Sequence, residues 1–215
     1  MGVFYEKNAP NLVNLLAISG KMCYNVNILC PKADNVAFMH FNGHEMRCFC
    51  LRILGIDPGY AIVGFGVIEY ESTRFRLVDM GAVTTPADMA FEARLKAIYL
   101  DMCELIKTYK PDEMSIEKLF FNTNQKTAID VAQARGVTIL PAILENIPIF
   151  EYTPLQVKSS IVGYGRAEKK QVQEMVRTML HLKEVPKPDD TADAVALAIT
   201  HALSLTGRKQ LEKYG

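Results

Sequence analysis

The chain has 215 residues, 49% apolar and 22% charged, with 24 basic side chains balancing 24 acidic ones; that length suits one full α/β domain with some excess, or two small ones. The neutral balance excludes a uniformly basic nucleic-acid binder, so any polyanion contact must come from a local cluster. No window approaches the roughly 20 apolar residues of a membrane span, and an odd set of cysteines without a secretory framework points to reduced thiols in a cytoplasmic protein.

Residues 1 to 50 read differently from the remainder. They hold Cys23, Cys30, Cys48 and Cys50, and no sustained period of a strand or helix runs through them, although NLVNLLAIS can form a short helix. A signal peptide is disfavoured because Asn14 interrupts an apolar run that is already short. A zinc site drawn from Cys23, Cys30, His40, His44, Cys48 and Cys50 matches no ordinary finger spacing. HEMRC at 44 to 48 lacks the second histidine of HExxH. The preferred reading is an extension without its own core, with a start at Met46 or just before Arg52 as the natural beginning of the patterned chain.

From Arg52 the pattern is regular. RILGID reads as a buried strand, and the turn at Pro58, Gly59 and Tyr60 leads to AIVGFGVIEY, a second strand. FRLVDMGAVTT, 75 to 85, gives a third, close enough for antiparallel hairpins. Residues 91 to 109 carry Leu95, Ile98, Met102, Leu105 and Ile106 at helical spacing, closed by Pro111. EMSIEKLFF, 113 to 121, returns to strand. A helix over Thr127 to Leu140 follows, then a strand near IPIFEYT and a short helix after Pro154. Helices over Glu168 to His181 and Asp189 to Leu205 complete the order. Hairpin strands followed by alternating helix and strand predict an α/β fold, a mixed sheet with helices on both faces.

The acids fall at telling places. Asp57 ends the first strand, Glu117 follows the apolar run of the fourth, and Asp190 and Asp193 share a face in the first turn of the last helix. Ligands of α/β sheets sit beyond the carboxyl ends of strands. Taken singly, each acid has a plain role: Asp189 or Asp190 as a helix cap, Glu117 as a solvated strand end, Asp57 in an Asx turn. Gathered together they would repel and lose solvation, costs that divalent cations relieve. Oxygen donors without a converging His or Cys set favour Mg²⁺, or Mn²⁺ in its place, over zinc. Two such ions about 4 Å apart clamp the attacking and leaving oxygens of an in-line phosphoryl displacement, which points to cleavage of a nucleic-acid backbone.

RILGIDPGYAIVGFGVIE, SIEKLFF, QARG, YTPLQVKSSIVGYGRAEKKQVQEMV and DDTADAVALAITHA together resemble the RuvC family of crossover-junction (Holliday-junction) endodeoxyribonucleases, from about Arg52 to His201. The resemblance implies a ribonuclease-H-like nuclease domain over 51–207, followed by a tail at 208–215. It implies a homodimer making paired nicks in four-way junction DNA, and a branch-migration helicase complex of the RuvA and RuvB type as partner. Carried over by position, Asp57, Glu117, Asp190 and Asp193 are the catalytic metal ligands, and the products are 5′-phosphate and 3′-hydroxyl ends.

DNA contacts follow. Lys158, Arg166, Lys169 and Lys170 cluster around a Gly163–Gly165 turn that opens a helix, and lysines, glycine amides and a helix N-terminus make a phosphate cradle. Lys158 and Lys169 match family positions, whereas an ordinary solvated face would also account for Lys170. Phe120, three residues beyond Glu117, is a core phenylalanine or an aromatic that stacks on an unpaired base, and the resemblance favours stacking. His201 is two turns beyond Asp193, more than about 10 Å along a helix, so packing or capping is expected of it, and His181 has no stronger claim. The helix with Gln133 and Arg135 is the expected dimer element. An actin-like ATPase or kinase would need a second glycine-rich phosphate turn and a longer chain. A non-catalytic junction-binding module would be expected to lack the acidic quartet, and a shorter nuclease acting on RNA would lack the lysine block and the final DxxDA.

Overall fold

A computed structural model describes residues 36–41, 44–71, 73–119 and 125–214, with side chains from Cys50 to Leu205 apart from Ser72 and residues 120–127. In the leader, β1 (Val36–Phe41) and β2 (His44–Phe49) pair antiparallel as a hairpin separate from the main sheet. This differs from the expectation of an unpatterned segment. The overlooked signal is Asn42-Gly43 between the strands, the dipeptide that best suits a two-residue hairpin connection. The short helix considered over 11–19, Cys23 and Cys30 lie outside the described residues.

The main sheet runs β5-β4-β3-β6-β7. β3 (Leu51–Asp57), β4 (Ile62–Glu71) and β5 (Arg74–Thr84) form the expected antiparallel meander. β6 (Glu113–Glu117) joins β3 in parallel and β7 (Ile149–Tyr152) joins β6 in parallel. α1 (Phe91–Tyr109) precedes β6, and α2 (Gln125–Leu144) links β6 to β7. α3 (Pro154–Val162), α4 (Lys169–Met179) and α5 (Asp189–Tyr214) close the chain. It is the mixed ribonuclease-H-like sheet expected from the sequence. No described helix is long and apolar enough to cross a membrane.

The sheet separates two cores. Ile53 and Ile68 pack with α3, α4 and α5, whereas Leu54, Ile56, Met114 and Ile116 pack with α1 and α2. Side chains alternate across a strand, so Ile53, Gly55 and Asp57 share the α5 face of β3. By the same alternation Glu113, Ser115 and Glu117 share the α5 face of β6. Both central strands therefore deliver an acid at their carboxyl ends to the same side.

Helix boundaries shift where tertiary context overrides local signals. α2 passes through Pro141 and stops only after Leu144, where Ile147 N–H bonds the Ala142 carbonyl at 2.8 Å and Asn146 takes a left-handed φ of 56°. α5 runs beyond Leu205 to Tyr214; its last turns, TGRKQLEKY, are mostly good helix formers. β6 ends at Glu117, short of the strand expected to 121.

Candidate active site

Glycines decide how closely α5 approaches the sheet. A Cβ on Gly55 would lie 2.1 Å from the Ala194 carbonyl oxygen, and one on Gly64 would lie 2.0 Å from the Asp190 carbonyl oxygen. One on Gly66 would meet Val195 Cγ2 at 2.5 Å. The α5 backbone thus lies directly on β3 and β4, a distance that any side chain at these positions would increase. The first turn of α5 is brought to the end of β3, where Asp57 pairs in register with Gly64. Sequence reasoning missed this device, although glycines recurring on one face of otherwise apolar strands were its signal.

The acids gathered this way alter one another. Burial, and then the charges of Glu117, Asp193 and Asp190, push the Asp57 carboxyl up to about 7, with Lys169 acting in the opposite direction. Burial and Asp193 raise Glu117 against the pull of Lys169. Burial also raises Asp193, assisted by Asp189 and Asp190 and opposed by Lys169. These mutual fields place Asp57, Glu117, Asp190 and Asp193 in one neighbourhood. As the side chains stand, no three acidic, imidazole or thiol groups among the described residues close around a common point suited to an ion. The positive charge in the cluster is Lys169, whose Nζ lies 2.8 Å from Asp193 Oδ2 and 3.4 Å from Asp189 Oδ2. Burial works against the Lys169 charge, but Asp193 and Asp189 overcome it and raise its pKa.

A cleft of about 210 Å³ opens here, lined by Glu117, Lys158, Lys169 and Asp193 against Pro154, Val157, Val172 and Leu197. A larger groove, about 580 Å³, lies between α1 and the end of α2 and includes Lys107, Lys110 and Glu145 but none of the four acids. The basic strip is built by two helix ends. α3 stops at Gly163, whose φ of 92° suits the left-handed cap, and α4 starts at Lys169 behind the Glu168 N-cap. Gly165 rests on Leu155, where a Cβ would lie 2.4 Å from Cδ1. Lys158 is half-buried; Arg166 and Lys170 are exposed. Between the glycines Tyr164 is exposed, and its hydroxyl donates to Gln171 Oε1 at 3.0 Å. Phe120 lies outside the described residues. His201 is fully buried, as the packing expectation required, and His181 is exposed in a left-handed turn.

Residues 53–201, well over half of the chain, match the family model described as Crossover junction endodeoxyribonuclease RuvC. The chain belongs to the RuvC family. A curated RuvC from Alkaliphilus oremlandii is 60% identical over 150 residues, 70% of this chain and 92% of that protein. The solved RuvC of Thermus thermophilus superposes with a TM-score of 0.68 at 32% identity, covering 74% of this chain and 97% of that one. The same relative in complex with a Holliday junction substrate gives a TM-score of 0.67 at 31% identity, over 73% and 96% of the two chains. Membership makes this RuvC-family protein a crossover junction endodeoxyribonuclease, a hydrolase of DNA recombination and repair.

Proposed function

We propose that this RuvC-family chain resolves four-way DNA junctions by paired symmetric nicks, with Asp57, Glu117, Asp190 and Asp193 as its hydrolytic centre. One observation carries the reading. Carboxylates from β3, β6 and α5 are gathered beside a basic strip, where burial first and then the charges of Glu117, Asp193 and Asp190 push Asp57 up to about 7. A cluster built only to stabilise the fold would not collect charges that burial and repulsion both penalise.

The donor set fits a hard divalent cation, since it is all oxygen and each charge in it is costly without a counter-ion. These four residues would hold Mg²⁺, or Mn²⁺ in its place, and the bound ions would supply Lewis-acid stabilisation of charge on the phosphate. The chain's own residues do the rest. Lys158, Arg166 and Lys170 hold backbone phosphates along the strip. Lys169, already balancing Asp189 and Asp193, adds charge where the strand enters the cleft. Phe120 stacks on an unpaired base at the crossover. In hydrolysis the water oxygen joins phosphorus, the bond to the 3′ oxygen breaks, and a proton passes to that oxygen. A 5′-phosphate and a 3′-hydroxyl result.

Opposed nicks need two sites, which a homodimer supplies. Ile129, Gln133, Gly136, Leu140, Ile143 and Leu144 fall on one exposed face of α2, and this apolar stripe supports that helix as the dimer element. Arg135, by contrast, is tied to Glu151 of β7 in its own chain. A RuvA- and RuvB-type helicase complex and a cytoplasmic location complete the reading. Incubation with a synthetic four-way junction tests it: Mg²⁺ should give symmetric nicks on opposing strands and EDTA none. Binding without nicking would reduce the protein to a junction-binding module.

A further inference from the structure

His201 is a buried side chain that the proposed hydrolysis does not use, and its ring reaches across from α5 to β6, which carries Glu117, and to the neighbouring β7. Nε2 is 2.5 Å from Glu113 Oε2 on β6, and Nδ1 is 2.7 Å from the Tyr152 hydroxyl on β7. The ring stacks on Phe150 with centroids 4.3 Å apart. Ser204 Oγ donates to the His201 carbonyl oxygen at 2.7 Å and lies 2.8 Å from the Tyr152 hydroxyl. The one ring is thus hydrogen-bonded through both nitrogens, to Glu113 on β6 and to Tyr152 on β7.

The distances make this pair a ruler. Glu113 is four residues before Glu117 on the same face of β6, about 13 Å at the rise of a strand. His201 is eight residues after Asp193 on α5, about 12 Å at the rise of a helix. Pinning His201 to Glu113 therefore sets Asp193 level with Glu117 at the far end. Gly55 and Gly66 set how close the helix lies to the strands. Hydrogen bonds from one ring to two strands add a directional tie along the helix axis.

We propose that His201 is a positioning residue of the nuclease site: tied to Glu113 and Tyr152, it fixes the axial register of α5 and hence the spacing of Asp193 from Glu117. The inference rests on the acidic cluster being the hydrolytic centre. A misplacement of about 1 Å caused by a change far from the chemistry can cost on the order of 100-fold in rate.

The test is a nicking assay on a saturating four-way junction, titrated with Mg²⁺, alongside junction binding in EDTA and thermal melting. His201→Phe keeps a ring against Phe150 and removes both hydrogen bonds. It should slow nicking at least about tenfold and raise half-activating Mg²⁺ several-fold, with binding in EDTA unchanged. Glu113→Gln keeps an acceptor for Nε2 and should recover most of the rate, whereas Glu113→Ala should behave like His201→Phe. Glu113 is partly exposed at the strand start, so these variants decide the matter if His201→Phe does not fold. Met102→Ala, which loosens the opposite core, sets the reference for a merely destabilised protein. A wild-type Mg²⁺ response in His201→Phe or Glu113→Ala, or a loss that follows melting temperature as in Met102→Ala, overturns the inference. If Asp57→Asn still nicks, the reading of the acidic centre fails instead.

Discussion

Asp57→Asn should make the metal-free protein more stable while abolishing its nuclease activity. Asp57 has its carboxyl raised from 3.8 to about 7 by burial and by Glu117, Asp193 and Asp190. A raised carboxylate pKa means that the folded state holds a proton which the unfolded chain has already lost. The penalty is absent below pH 3.8, grows as pH rises, and is complete above about 7. At about 1.36 kcal/mol per pH unit, it reaches about 4 kcal/mol at pH 8 and only about 1.5 kcal/mol at pH 5. Rotation of the side chain toward water relieves part of this, so these are upper bounds. Asparagine removes the charge, and at about 2–4 °C per kcal/mol for a chain of this size the gain approaches 10 °C at pH 8. Calorimetry in EDTA at pH 5 and pH 8 measures it. Adding Mg²⁺ should then stabilise the wild type more than the variant. No gain at pH 8, or a gain as large at pH 5, would refute the claim that Asp57 sits in a repelling acidic cluster.

Gly64→Ala places a methyl group 2.0 Å from the Asp190 carbonyl oxygen; α5 must shift, costing about 1–3 kcal/mol and, through displaced acids, on the order of 100-fold in nicking rate. Thermal melting and junction cleavage check this together. Lys169→Ala should weaken junction binding and reduce the slope of log affinity against log salt by about 0.9, one phosphate contact; an unchanged slope speaks against the contact. At the opposite end of the sheet, burial would raise Glu69, but hydrogen bonds from Arg52 and Arg76 outweigh it and lower its pKa. That stabilisation is present above the unfolded carboxylate range and is lost as pH falls through the depressed value. Glu69→Gln, which takes the carboxylate away from half-buried Arg52, should cost about 3 kcal/mol at pH 7 and show a shallower acid limb in a pH series of unfolding.

Much of this was legible in residues because the signals were local. The apolar alternation of 52–85 and the spacing of Ile98, Met102 and Ile106 are read within a few turns, and α1 has the bounds the sequence predicts. The acids were legible as well, because strand ends and helix starts are marked by the apolar runs beside them. Pro141 misled, since a helix packed on both sides of a proline continues past it when the next stop is an αL residue such as Asn146. Asn42-Gly43 was passed over because its flanking strands lack clean alternation. What sequence could not supply was contact between distant segments. Gly64 reads as a weak strand residue until α5 is laid upon it. Lys169 reads as a phosphate ligand, and only the fold shows it holding Asp189 and Asp193. His201 and Glu113 stand 88 residues apart, and no spacing rule connects them.

The central claim is that Asp57, Glu117 and the Asp190–Asp193 pair together seat divalent cations. Anomalous diffraction from crystals of the wild-type protein grown with Mn²⁺ tests it most directly. Peaks within ligand distance of carboxylates from β3, β6 and α5, lost in Asp57→Asn, are the predicted result. Well-occupied Mn²⁺ elsewhere on the surface, with no peak among these acids, would contradict it.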